Sequence, residues 1–196
     1  MTAVHTDNRR PARRSLFRVA TLALFVAAAA RAHATVVVPA DLGELSRDAK
    51  AIARGRVVAV DGRWTDDRRT IETIVTLEVE SYLKGSLGST LQFRVPGGEL
   101  GRFRSVVVGA PEFVVDQRVI VFLGASGPMV PYVLGLNQGV YRVVPGSDRA
   151  TTLVMPPAVL PAASVSVPVV RGDVNRRPLA LGDFEQRVRA LAGAAR

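Results

Sequence analysis

Residues 70–82 read TIETIVTLEVESY, and the alternation of residue types along this stretch indicates a β-strand with one buried face. Apolar and β-branched residues take one set of alternate positions, and mostly polar residues take the other. The first set is Ile71, Thr73, Val75, Leu77 and Val79, and the second includes Glu72, Thr76, Glu78 and Glu80. A strand with one solvated face is typical of an antiparallel sheet, since parallel strands are buried on both faces.

Short apolar runs continue on both sides of this strand. They lie at residues 52–60, 90–95, 102–108, 118–123, 130–136 and 139–144, and Gly and Pro turns separate them. No long helical pattern intervenes between these runs. The spacing therefore predicts a mainly all-β fold, an antiparallel barrel or sandwich rather than a parallel sheet.

Two short helices are expected at the ends of this β region. Asp41 stands three residues before Glu44, the spacing of a capping box, which predicts one or two turns of helix through about residue 50. Near the C-terminus, Phe184, Val188 and Leu191 lie on one helical face over residues 183–194, with Asp183 as the expected N-cap.

The sequence divides into four parts on these patterns. Residues 35–144 form the predicted β-barrel domain, and residues 181–196 carry the closing helix. Between them, residues 145–180 hold six of the twelve prolines and are expected to be an irregular arm with at most two short strands. Residues 1–34 form the fourth part, a predicted signal peptide.

The N-terminal 34 residues have the three regions of an export signal. Five arginines between residues 9 and 18 precede an apolar run at residues 19–30, and Ala32-His33-Ala34 matches a small-x-small cleavage site. The apolar run is too short to span a bilayer. The mature protein is therefore expected to be periplasmic or extracellular, with no integral membrane segment, and the general secretory and twin-arginine routes both stay open.

Removal of this segment changes the chemistry of the chain. The formal charge falls from +9 to +4, because six arginines and one aspartate leave with it and 20 basic and 16 acidic residues remain. Both histidines also leave, and the chain has no cysteine. These absences argue against protein-made zinc sites, Ser-His or Cys-His catalysis and disulfides. We therefore expect no cofactor, no metal and no catalytic residue, and the modest charge argues against nucleic acid as a partner.

Three segments between residues 44 and 144 resemble the netrin-like and tissue-metalloproteinase-inhibitor-like group of OB barrels. They are Gly55-Arg56-Val57-Val58 after a helical turn, the strand end Tyr82-Leu83-Lys84-Gly85, and the apolar strand at residues 118–123. The resemblance implies an OB-like barrel that binds another exported protein, such as a protease.

The same resemblance extends to the expected mature N-terminus, Thr35-Val36-Val37-Val38-Pro39. Inhibitors of that group begin Cys-x-Cys-Val-Pro and chelate the protease zinc with the terminal amine and carbonyl. Val38 and Pro39 match this motif, whereas Thr35 and Val37 stand at the cysteine positions, so the bracing disulfides are missing. The resemblance implies binding through Thr35, Val36, Val38 and Pro39; the alternative is an ordinary frayed or strand-paired terminus.

Two groups of carboxylates are candidates for chemistry that needs no histidine. Glu78 and Glu80 are two residues apart on one strand, so both face the same way, and a pair of carboxylates can hydrolyse glycosides. Their position on the solvated face favours surface charges instead. Asp61, Asp66 and Asp67 bracket a loop but lack the spacing of a calcium loop, so a turn is the preferred interpretation.

Exposed aromatic and basic residues supply the candidate binding surface. Trp64 lies in a predicted polar loop at residues 61–67, where it would serve as an interface anchor or cover the end of the barrel. Arg102 and Arg104 are predicted on one strand face with Phe103 on the other, as a solvated face or a contact for a partner carboxylate.

These features predict an exported, non-catalytic binding module, a protease-inhibitor-like or protein-interaction domain whose partner is another exported protein. Two alternatives stay open. One is a hydrolase that uses Glu78 and Glu80 alone, and the other is an envelope-associated structural protein without a discrete ligand.

Overall fold

A computed structural model describes residues 40–125, 127, 129–157 and 177–193, and strands dominate them. The predicted signal peptide, the N-terminal residues 35–39 and most of the arm, residues 158–176, lie outside the described residues. In chain order the elements are α1 (Leu42–Asp48), β1 (Ala51–Trp64), β2 (Ile71–Lys84), β3 (Thr90–Pro96), β4 (Gly98–Leu100), β5 (Phe103–Ser105), β6 (Arg118–Gly124), β7 (Tyr132–Val133), a 3-10 turn (Leu136–Gly139), β8 (Val140–Pro145), β9 (Thr152–Met155), β10 (Leu179–Ala180) and α2 (Leu181–Gly193). The prediction of a mainly β fold with a short helix near each end is confirmed.

The pairings of five strands close on themselves. β1 pairs antiparallel with both β2 and β6, β2 pairs with β3, and β6 pairs with β7. A single parallel contact between Arg94 and Tyr132 joins β3 to β7 and completes the ring β1-β2-β3-β7-β6. From β6 the sheet continues outward through β8 and β9 to β10. The first half of strand β1 pairs with both β2 and β6, and β1 carries three register shifts against β2.

Gly55 is a position of close approach between β1 and β2. A Cβ atom at this position would collide with the backbone oxygen of Glu78. The register against β2 shifts between Arg54 and Gly55, so the glycine sits at a β-bulge. The absent side chain thus permits the close approach of the two strands at this bulge.

Strand β6 lies between two hydrophobic cores, which explains its unbroken apolar sequence. Val119, Val121 and Leu123 point into the core inside the ring, where they meet residues such as Leu77 and Phe93. Ile120 and Phe122 point to the other side, into a core formed with the two helices, β8 and β9. That second core contains Leu45, Ala49, Ile52, Leu83, Tyr141, Val143, Val154, Phe184 and Val188.

Helix α1 begins with the predicted capping box. The Asp41 side chain accepts from the Glu44 amide at 2.6 Å, and the Glu44 carboxylate accepts from the Asp41 amide at 3.2 Å. At the other end, Lys84 Nζ donates to the carbonyls of Ser46 and Arg47 at 2.9 and 2.8 Å. The lysine of the Leu-Lys-Gly turn therefore holds the C-terminus of α1.

Helix α2 buries Phe184 and Val188, as its periodicity predicts. Asp183, expected as the N-cap, instead lies within the first turn, since the helix begins two residues earlier at Leu181. None of the helices in the described ranges is long and apolar enough to cross a membrane.

Several predicted boundaries near the first hairpin are wrong. Strand β1 runs four residues past Val60, so Trp64 ends a strand and the loop comprises residues 65–70. The run at 102–108 forms a strand only over Phe103–Ser105. Glu72, placed on the solvated face, is buried and ion-paired with Arg63 at 2.8 Å, because the added length of β1 brings Arg63 opposite it.

Candidate functional site

Trp64 and Phe103 meet at the end of the first hairpin. Their ring centroids lie 5.5 Å apart with the planes tilted by 60°, and both rings stay partly exposed, at 39% and 47%. The short β4–β5 hairpin reaches them because the backbone of Glu99 rests directly on Gly62 of β1, where a side chain would not fit. The structure thus brings together Trp64 and the Arg102–Arg104 segment, which are almost 40 positions apart in the sequence.

The two arginines of this segment take different positions. Arg102 lies in the turn before β5, and its guanidinium stands 5.1 Å from the centre of the Phe103 ring. The prediction that Arg102 and Phe103 occupy opposite strand faces is therefore wrong, because Arg102 is outside the strand. Arg104 lies within β5 opposite Glu99 and pairs with it at 3.3 Å, with both side chains well exposed.

The turn between β1 and β2 is organised by its own hydrogen bonds. Asp67 accepts from the Thr65 hydroxyl at 2.6 Å and from the Arg69 amide at 3.1 Å. These bonds, the one from Thr65 first, hold the pKa of the Asp67 carboxyl below its usual value. Asp67 thus acts as a turn residue, and the described residues contain no cluster of three side chains that would hold a metal ion.

Three consecutive valines after β5 form an exposed apolar segment, here called the valine edge (Val106, Val107 and Val108). Val106 is 73% exposed and Val108 is 81% exposed. The run follows directly from β5, which is paired with β4, and on its C-terminal side Ala110 donates its amide to the Val107 carbonyl at 3.1 Å and Phe113 packs edge-on against Phe93 of the inner core at 5.3 Å. The valine edge is therefore held outward by a fixed loop.

The valine edge adjoins the point where the described chain begins. Asn137 of the 3-10 turn donates its amide to the Gly109 carbonyl at 3.0 Å. The next residue, Gln138, is buried, and its side-chain oxygen accepts from the Ala40 amide at 2.6 Å. Leu136 opens the turn in the left-handed region, with φ of 55°. This turn, with its strained residue Leu136, thus binds both Gly109, directly after the valine edge, and Ala40, the first described residue.

Glu78 and Glu80 do point to the same side of β2, as predicted, and both meet arginines. Glu80 accepts two hydrogen bonds from Arg118, at 2.9 and 2.7 Å, and one from Arg54 at 3.1 Å. Glu78 pairs with Arg56 across the β1–β2 ladder at 2.7 Å. The bonds from Arg118 lower the pKa of the Glu80 carboxyl.

The valine edge is the feature that the sequence patterns missed. The pattern of residues 102–108 predicts one continuous strand with Arg102 and Arg104 on a solvated face, and it gives no sign that the three valines are exposed. The available signal was the absence of alternation in Val106–Val108, followed directly by Gly109-Ala110-Pro111. The predicted binding residues Thr35, Val36, Val38 and Pro39 lie outside the described residues.

Comparison with known proteins returned no family model, no curated protein and no solved structure that matches this chain.

Proposed function

We propose that this chain is an exported, non-catalytic binding module built on an OB-like barrel, and that its partner is another exported protein, such as a protease. The observation that carries the proposal is the valine edge, an apolar segment held on a fixed loop with nothing from the described residues over it. Exposed apolar surface of this kind marks sites of protein interaction.

The strand order supports the OB-like barrel. The five-strand ring contains a pairing between β1 and β6, its first and fourth strands along the chain, and one parallel contact between β3 and β7. This is the arrangement of a Greek-key OB barrel. The short β4–β5 hairpin is then an insertion between the third and fourth barrel strands. Export rests on residues 1–34, whose arginines, apolar run and Ala32-His33-Ala34 have the order of a cleavable signal.

The inhibitor-like version of the proposal gains support from the 3-10 turn. The amide of Ala40 is bound by Gln138, one residue after Pro39, and the neighbouring Asn137 holds the loop of the valine edge. The 3-10 turn therefore contacts both Ala40 and the loop that carries the valine edge. In the group that the sequence resembles, disulfides brace the N-terminal segment; here the side chain of Gln138 binds the amide of Ala40.

The arginine contacts of Glu78 and Glu80 indicate a role in ion pairing and not in catalysis. Glycoside hydrolysis needs one carboxyl that keeps its proton near neutral pH. Glu80 has its pKa shifted the other way by Arg118 and Arg54, and its oxygens are occupied by their donors. The pair therefore gives no support to a hydrolase.

The test uses the mature chain and the catalytic domains of exported metalloproteases. We expect inhibition or saturable binding with at least one of them, and at least a tenfold loss in the double variant Val106→Ser/Val108→Ser. Leu87→Ser is the matched control, because Leu87 is also an exposed apolar residue but lies in the β2–β3 turn. An added alanine before Thr35 tests the inhibitor-like version separately, since it blocks the terminal amine.

Two results would overturn the proposal. One is a mature chain that inhibits none of the proteases and retains no exported protein. The other is a double valine variant that binds as well as the parent chain, with both proteins shown to be folded by their unfolding transitions. Surface substitutions of this kind change the free energy of unfolding by less than about 0.5 kcal/mol, so a loss of binding will report on the interface.

A further inference from the structure

We propose that the tip of the β1–β2 hairpin, with Phe103, binds a neutral oligosaccharide chain. An open depression lies at this tip and is lined by Trp64, Thr65, Asp66 and Arg68. The partly exposed Trp64 ring forms one wall, and the Phe103 ring lies beside it. Flat aromatic rings in the open, with polar groups at their rim, present both an apolar face and hydrogen-bonding groups.

The backbone of this tip is already arranged without a ligand. The amide of Thr65 donates to the Thr70 carbonyl at 2.9 Å, and the amide of Arg68 donates to the Thr65 carbonyl at 2.8 Å. Asp67 ties the turn further through Thr65 and Arg69. A turn held in this way loses little conformational entropy when it binds, which favours recognition.

Two side chains of opposite charge on this turn have no partner within the described part of the chain. Asp66 and Arg68 are exposed, and neither makes a side-chain hydrogen bond or an ion pair there. Arg68 is held with φ of 54°, so its side chain leaves the turn from an unusual backbone conformation. Among the residues that the structure describes, the turn therefore offers one carboxylate and one guanidinium without a partner, both beside Trp64.

The mixed charge of this site selects the chemistry of the ligand. An acidic partner would meet the Asp66 carboxylate, and a basic partner would meet the Arg68 guanidinium, so either would face a like charge. Sugar hydroxyls both donate and accept, and they therefore serve Asp66 and Arg68 together. The C–H face of a pyranose ring can then stack on Trp64.

The shape of the site favours a chain over a single sugar. A site for a small molecule encloses most of its ligand, whereas this depression is open to solvent. The Phe103 ring lies 5.5 Å from the Trp64 ring with the planes tilted by 60°, so it extends the exposed apolar surface beyond the depression, where a further sugar unit can make contact. This site shares no residue with the valine edge, and the inference does not depend on the proposed protein partner.

The experiment exploits the fact that Trp64 is the only tryptophan of the chain. Its fluorescence is followed while the mature chain is titrated with chitohexaose and, separately, with cellohexaose. We expect a saturable change with at least one hexasaccharide. We expect at least a tenfold weaker affinity in Asp66→Ala and in Arg68→Asn, which keeps a residue that tolerates positive φ. Glu112→Gln, a change at an exposed carboxylate away from the turn, serves as the matched control and should bind as the parent does.

The inference is overturned if neither hexasaccharide gives a saturable change, or if both turn variants bind as well as the Glu112→Gln control. It is also overturned if a hexaglutamate peptide, and neither sugar, changes the Trp64 signal, because the site would then accept an acidic protein segment. Val106→Ser/Val108→Ser should retain sugar binding. Loss of protease binding with retention of sugar binding thus separates this inference from the proposed function.

Discussion

Arg118 of β6 and Glu80 of β2 form a bidentate ion pair across β1, the strand that lies between them. Nε and Nη2 of Arg118 donate to the two carboxylate oxygens of Glu80, at 2.9 and 2.7 Å. Arg54 of β1 joins the same carboxylate and also pairs with Glu185 of α2. The network therefore ties three neighbouring strands and the closing helix on the outer surface of the sheet.

Glu80→Gln should destabilise the fold by about 1 kcal/mol at pH 7, since a partly exposed pair with good geometry is near the upper end for surface ion pairs. Hydrogen bonds from Arg118 lower the pKa of Glu80 in the folded state. The ionised carboxylate therefore adds to the free energy of unfolding above the ordinary glutamate pKa of about 4.3, and this stabilisation is lost as the pH falls through the lower folded-state pKa. Urea unfolding at pH 7 and below pH 3 measures this, and the parent and the variant should converge in acid.

The matched control is Glu112→Gln, since Glu112 is exposed and has no ion pair among the described residues. Its effect on the free energy of unfolding should be small at both pH values. A Glu80→Gln penalty of the same size at pH 7 and in acid would contradict an electrostatic origin.

The local periodicity of residues 70–82 was sufficient to predict β2, because alternation along a strand is a property of the backbone. It did not predict the burial of Glu72, which depends on how far β1 extends. The residues Asp61-Gly62-Arg63-Trp64 are mostly polar, so the sequence predicts a loop there instead of a longer strand. In the structure these residues pair with β2 and contact β4, and this pairing does not require alternating apolar residues. Pairing across the sheet, and not propensity, decided this boundary.

The candidate sites were predictable in part for a related reason. Trp64, Arg102 and Arg104 were identified from residue type alone, as large or charged groups near turns. Their proximity to one another depends on the β4–β5 hairpin folding back over Gly62, a contact between residues far apart in the sequence. The exposure of Val106 and Val108 is likewise a tertiary property, because an apolar run looks the same whether it is covered or not.

Gly55→Ala should destabilise the fold by about 2 kcal/mol or more, because the new methyl group would strike the Glu78 backbone oxygen, which cannot move without breaking the β1–β2 ladder. Gly182→Ala is the matched control: nothing lies within 4 Å of its would-be Cβ, and alanine favours the first turn of α2. Thermal unfolding of both variants measures the difference. Equal melting temperatures would contradict the close approach of the two strands at Gly55.

Lys84→Met should cost about 1 kcal/mol, since it keeps the apolar stem but removes the ammonium that holds the Ser46 and Arg47 carbonyls at the end of α1. Lys50→Met, at an exposed lysine just after the helix, is the control and should have a smaller effect. Hydrogen exchange of the α1 amides gives the local readout. Faster exchange in α1 in the Lys84 variant, with β2 unchanged, is the expected result, and unaltered exchange would rule out the capping role.

Phe184→Ala should cost about 3 kcal/mol or more, because the ring is 97% buried and packs against Tyr141 at 4.8 Å between ring centres. The lost ring leaves a cavity between α2 and the sheet. Leu191→Ala, on the same helical face but half-buried, is the control and should cost less. Urea unfolding measures both free energies. A larger loss for Leu191→Ala would show that α2 docks through its C-terminal turn instead.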